Sequence, residues 1–124
     1  MQEDVWKEIK VLLVPSLWYE AWGMVVVEAQ LCGIPVLSSN SGGLPESKLG
    51  VPYILPVQQL TGEHDKNGNY VVDEQEIQPW VTSLQTLLNN KDEYESVSEQ
   101  ARNITIEWLS GMDGSALEKW LEGL

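Results

Sequence analysis

The chain holds one cysteine, one histidine, no phenylalanine and only seven lysines and arginines in 124 residues. A lone thiol, Cys32, excludes an internal disulfide framework and fits a reducing compartment, the cytoplasm. Against the seven cations stand nineteen Asp and Glu, and the resulting formal charge of −12 repels nucleic-acid backbones and anionic lipid heads. No run of basic residues interrupts that charge, so nucleic acid is excluded as a partner. No apolar run approaches the roughly 20 residues needed to span a bilayer. The acidic start from Met1 to Lys7 also lacks the apolar core of a signal peptide.

What is present describes one soluble α/β domain. Apolar residues make up 43% of the chain and charged residues 21%, the balance of an ordinary globular protein, and the length allows a single real core. Val11 to Val14 form a short apolar run closed by Pro15, which predicts a strand buried on both faces. From Met24 to Leu31 the chain is apolar almost throughout and ends at Cys32-Gly33 with Pro35 beyond, which predicts a buried helix capped by Gly33 and a small buried thiol at Cys32. Residues 35–38 predict a second strand, Leu44-Pro45-Glu46 a helical first turn after a Ser/Gly loop, and Tyr53 to Leu55 a third strand. This cadence is that of a three-layer, Rossmann-like parallel sheet followed by C-terminal helices. Residues 61–73 predict a polar hairpin about Asn67-Gly68. Ile77, Trp80, Val81, Leu84, Leu87 and Leu88 mark one helix, residues 92–108 a second, and residues 115–121, with Trp120, a short last one.

The strongest functional signal is a pair of carboxylates, Glu20 and Glu28, eight positions apart astride Gly23. The spacing predicts one acid on a loop and the other one turn inside a helix, both turned to one mouth. An ionised carboxylate accepts strong hydrogen bonds from two neighbouring hydroxyls, which suits sugars. The amides that open a helix have no internal partner and favour an anion such as phosphate. Gly23 lets the backbone come close to a ligand.

In this setting the segment Pro15 to Val36, with Gly42-Gly43-Leu44-Pro45-Glu46, resembles the donor-binding half of retaining glycosyltransferases of the GT-B fold, family four. The resemblance is strong over residues 11–56 and loose beyond. It implies that Glu20 bonds hydroxyls of the transferred sugar, and that amides around Trp22, Gly23 and Met24 hold the sugar and diphosphate. Val25 adds its amide at the helix start, and Glu28 takes the ribose of the nucleotide. It assigns neither glutamate as a nucleophile, because retention in such enzymes is described as same-face displacement assisted by the donor phosphate. The nucleotide-diphosphate sugar is a substrate, so no cofactor and no metal ion is expected.

The resemblance also implies an N-terminal acceptor domain and earlier donor-domain strands, which these 124 residues do not match. Those strands carry the diphosphate cations in the family, and with no arginine before Arg102 none is expected to replace them. The chain alone is therefore expected to be a partial donor-binding domain over residues 1–124, inactive without an acceptor domain or separate subunit. Its first strand would lie at an open edge, so self-association there is expected unless the N-terminus covers it. The alternative is a non-catalytic module that binds a nucleotide sugar or assembles with another subunit.

Other residues carry weaker signals. Trp18, Tyr19 and Trp22 could form a sugar platform, although aromatics beside a buried strand favour the core, as expected for Trp18, while Trp22 is open to either role. Gly42, Gly43 and Glu46 could line the cleft or merely punctuate the chain. His64 reads as a surface residue. Asp65, Asn67, Asn69 and Glu76 stand at calcium-loop offsets, but Tyr70 occupies the place of the turn glycine and no entering helix precedes them.

Overall fold

The computed structural model describes residues 6–112 and 121–123. The predicted helix at 115–121, Trp120 included, falls almost wholly outside these residues. Three strands form a parallel sheet in the order β1-β2-β3: β1 (Leu12–Val14), β2 (Val36–Ser39) and β3 (Ile54–Leu55). Leu12 pairs with Val36 and Ser38 with Ile54, each crossover running through one helix. The helices are α1 (Met24–Leu31), α2 (Leu44–Ser47), α3 (Gln78–Asn89) and α4 (Lys91–Ser110).

Alternation along the strands sorts the core into two layers. Val36 faces α1 and α2, in a cluster with Trp6, Val26, Ala29, Ile34 and Leu44, to which Ile9, Leu12 and Val14 add. Leu37, its neighbour, faces the other way onto Leu55, Leu87, Val97 and Ala101, flanked by Trp80, Leu84 and Ile104. This is the expected helix–sheet–helix sandwich, and β2, buried at all four positions, is its centre.

The outer strand departs from the sequence reading. Leu13 is 44% exposed, so β1 is not buried on both faces. Its only strand neighbour among the described residues is β2, so β1 stands at the sheet margin. Helix α1 is likewise half-buried: Val26, Val27, Ala29 and Gln30 point inward, whereas Met24, Val25 and Leu31 are exposed. An apolar composition on every side had concealed the direction in which this helix faces. Cys32 is exposed as well, at the helix end.

Gly33 ends α1 as predicted, at φ +73°, with its own amide bonded to the Gln30 carbonyl and the Ile34 amide to that of Ala29. That pair of bonds is the Schellman arrangement, which needs the left-handed residue between helix and strand. On α3 the apolar stripe narrows to Trp80, Leu84 and Leu87, and Ile77, Val81 and Leu88 are exposed instead. Helix α4 starts on Asn90, whose side chain accepts from the Glu93 amide, and it buries Val97, Ala101 and Thr105. Residues 64–70 form the small predicted hairpin, closed by a His64–Tyr70 bridge with Gly68 at φ +82°.

Candidate functional site

The site is assembled where two loops leave the carboxyl ends of β1 and β2. The hydroxyls of Ser39 and Ser41, both fully buried, donate to the one carbonyl of Ser16 at 2.7 Å each. Small hydroxyl residues at the end of β2 thus pin the start of the loop that carries Glu20. Further along, the Gly43 amide donates to the Glu20 carbonyl at 2.5 Å. The Glu20 carboxylate accepts from Ser16 Oγ at 3.2 Å and stays half-buried, with its second oxygen free of any such bond among the described residues. A carboxylate held at one oxygen and open at the other can accept from a ligand hydroxyl.

Gly42 and Gly43 serve this docking. A Cβ on Gly42 would lie 2.3 Å from the Glu20 carbonyl oxygen, and one on Gly43 would lie 2.2 Å from that of Ala21. The glycine pair therefore lets one backbone lie against the other. Gly23 acts in a similar way, since a Cβ there would lie 2.6 Å from Leu44 Cδ2 and 2.9 Å from Ser47 Oγ. Its missing side chain makes room for α2.

Gly23 is also the residue before α1, and no side chain caps that helix. The first intrahelical bonds run from the amides of Val26 and Val27 to the Gly23 carbonyl. The amides of Met24 and Val25 are left at an exposed helix start, with no acidic residue in the first turn. Orphan donors at the positive end of a helix dipole suit an anion.

The aromatics sort differently from expectation. Trp22 stacks on Trp108 of α4, with ring centroids 5.6 Å apart and planes at 22°. It joins the α1 entry to the last long helix and is not a free platform. Trp18, expected in the core, is 48% exposed and meets Tyr70 of the hairpin edge-on at 4.9 Å. Trp18 lies beyond the end of β1, outside the two buried clusters, and Tyr70 of the hairpin is its ring neighbour.

Glu28 is half-buried on α1. It lines a cavity of about 560 Å³ with Trp6, Lys7, Leu31, Cys32, Arg102 and Ile106. Being a full turn inside α1, it lies on the flank turned to α4, whereas Glu20 turns back to Ser16. Lys7 and Arg102 bring cations to the cavity that Glu28 lines. No spacing rule links Arg102 to Glu28, so only the packing of α4 on α1 reveals it. The indole nitrogen of Trp6 is buried there without a partner among the described residues.

The strongly perturbed group lies away from the acids. Lys48 is fully buried, its Nζ donates to the Val36 carbonyl, and loss of hydration lowers its pKa from 10.5 to about 7. Beside it Gln30 of α1 donates to the Lys48 carbonyl at 3.2 Å and to Thr105 Oγ1 of α4 at 3.4 Å. These contacts fasten α1 between α2 and α4 and thereby fix the direction of its open end.

A parallel sheet with helices on both faces, and polar groups gathered beyond the carboxyl ends of its strands, defines a Rossmann-like α/β domain. The chain belongs to the glycosyl transferases group 1 family, whose pattern matches residues 3–104. A D-inositol 3-phosphate glycosyltransferase from Rhodococcus jostii is 30% identical over 100 residues, covering 79% of this chain and 18% of that protein. The sulfoquinovosyl transferase SQD2 of Arabidopsis thaliana is 31% identical over 86 residues, covering 69% of this chain and 14% of its own. An uncharacterized 41.2 kDa protein in the cps region of Klebsiella pneumoniae is 56% identical over 39 residues, 32% of this chain and 11% of that one. The chain thus spans less than a fifth of the length of each of these three relatives.

Proposed function

We propose that this chain is the donor-binding part of a nucleotide-sugar-dependent, retaining glycosyltransferase of family four, with the GT-B architecture, that moves a hexose to a glycan, lipid or small-molecule acceptor. Glu20 accepts hydroxyls of the transferred sugar, the backbone at Trp22, Gly23 and Met24 holds the sugar and diphosphate, Val25 adds its amide, and Glu28 takes the ribose. The observation that carries this reading is a half-engaged carboxylate, Glu20, fixed by Ser16 and Gly43 next to the uncapped start of α1. Sugar hydroxyls and a diphosphate are the chemistry those two neighbours suit.

The relatives' names give different partners, an inositol phosphate in one and a sulfoquinovosyl group in another. Likeness to both supports the shared donor frame and selects no sugar. A purified 124-residue chain is expected to bind one nucleotide-diphosphate sugar and to transfer nothing without an acceptor domain. Titration with uridine, guanosine and adenosine diphosphate sugars, followed by tryptophan fluorescence, tests this. Saturation by one of them, weakened at least tenfold in Glu28→Ala and in Glu20→Ala, is the expected result. No saturation by any of them would refute the reading, and sugar transfer by the chain alone would refute its dependence on a second domain. The open margin of β1 favours a second role in assembly with another subunit, whether or not catalysis survives.

A further inference from the structure

The hairpin at residues 61–73 is not used by the donor reading, yet it sits against the loop that carries Glu20. The Leu60 amide donates to the Leu17 carbonyl at 3.1 Å, which ties the start of this excursion beside Trp18. Tyr70 then meets the Trp18 ring edge-on at 4.9 Å and overlaps the His64 ring at 4.3 Å. The hairpin has its own scaffold: Asp65 Oδ1 accepts from the amides of Asn67 and Asn69, and the Val71 amide donates to the Glu63 carbonyl. Gln75 clasps Gln58 at both backbone polar groups, closing the base of the excursion.

The result is an ordered aromatic surface in contact with water. Trp18 is 48% exposed, Tyr70 49% and Tyr19 78%. Flat rings with polar edges are suited to a pyranose, whose axial C–H bonds form an apolar face and whose hydroxyls surround it. A charge of −12 disfavours an anionic partner, while a neutral sugar is indifferent to it. Trp18 and Tyr19 immediately precede Glu20 along the loop, on the side leading away from α1 and its open amides.

We propose that Trp18 and Tyr70 form a stacking subsite for a neutral pyranose of the acceptor, with the hairpin acting as its outer wall. The proposal rests on Glu20 marking the sugar end of the site. It makes the acceptor a carbohydrate or a glycoside and assigns part of its recognition to the donor-side domain.

Saturation-transfer NMR on the 124-residue chain tests it, using methyl α- and β-glycosides of glucose, galactose and mannose together with monomeric octyl β-glucoside. Transfer to ring protons of at least one glycoside is expected, reduced at least fivefold in Trp18→Ala and Tyr70→Ala. It should persist in Tyr70→Phe, which keeps the ring, and in the exposed control Gln100→Ala. Absence of transfer to all seven glycosides, or transfer indifferent to both alanine variants, would overturn the proposal. So would transfer confined to the alkyl protons of octyl glucoside, which would assign the rings to a lipid chain. The nucleotide-sugar titration is read separately, so donor binding without glycoside contact would sink this subsite alone.

Discussion

Glycine and lysine set the sharpest constraints at the scale of single residues. Gly42 combines φ +55° with a backbone in the way of any Cβ, whereas Gly68 at φ +82° has open space around it. Gly68→Ala should therefore cost only the left-handed backbone penalty, about 1 kcal/mol. Gly42→Ala should cost about 2 to 4 kcal/mol by chemical denaturation, because the Glu20 loop must also lift, and it should abolish sugar binding with it. Equal costs at the two positions would show that Glu20 does not depend on that contact. Lys48 makes a prediction about pH. Its folded pKa of about 7 is below the ordinary 10.5, so between these values the unfolded chain holds a proton that the folded chain lacks. Stability then rises with pH across that window and is lost as pH falls through 7, by about 1.4 kcal/mol per unit at most. Tyr53 and Tyr94 act in the opposite sense only above pH 10. Burial raises both pKa values, with a hydrogen bond from Tyr53 to Glu93 adding to the first, so their contribution is full below the unfolded value of 10.0. Denaturation of the wild type at about pH 7.5 and about pH 9.5 should differ by about 2 to 3 kcal/mol more than that of Lys48→Met. An identical pH dependence in the two would mean that Lys48 stays charged when folded.

Among the elements, α1 shows how position follows from several weak ties. Gly33 turns its end, Gln30 fastens its middle to α2 and α4, and Trp22 stacks on Trp108 at its entry. The stack is a local prop, so Trp22→Ala and Trp108→Ala should be less than additive, with a coupling of about 0.5 to 1.5 kcal/mol in a double-mutant cycle. Additive losses would mean that the two rings merely pack near each other. The existence and order of the sheet strands, α1 and α4 were legible because each has a local signature: an apolar run closed by proline, a glycine after the last turn, a helical stripe. The pair Glu20 and Glu28 was legible for the same reason. Orientation was not, since Met24 to Val27 are apolar on all sides and only packing decides which of them face inward. The partners Trp108, Arg102 and Tyr70 come from far along the chain, and no periodicity relates them to Trp22, Glu28 or Trp18. Gly23, Gly42 and Gly43 were visible as glycines, but the backbones and helix they admit became apparent only in the fold.

For the molecule as a whole, the consequential feature is the margin of β1. The Leu12 amide donates to the Pro35 carbonyl, and alternation along a strand then turns the N–H and C=O of Leu13 away from β2. The Leu13 side chain is also half-exposed, so this margin offers both unpaired backbone and apolar surface, the combination that invites another strand. Helices cover both faces of the sheet but not its side, and the −12 charge opposes close approach of two copies at low salt. Self-association should accordingly strengthen as salt rises, the reverse of an assembly held by ion pairs. Sedimentation of the 124-residue chain should show a concentration-dependent dimer that grows between about 0.05 and 0.5 M salt, where the screening length falls from more than 10 Å to under 5 Å. Leu13→Pro removes the outward donor without touching the bonds to β2, a substitution tolerated at a free strand margin, and it should return the chain to monomer with little loss of stability. A dimer unchanged by Leu13→Pro would place the contact elsewhere. A wild-type monomer with fast amide exchange at Leu13 would show that the margin is open to solvent and recruits no partner copy. A monomer with slow exchange there would instead mean that a segment of the same chain covers β1, and the assembly role would then have to rest on another surface.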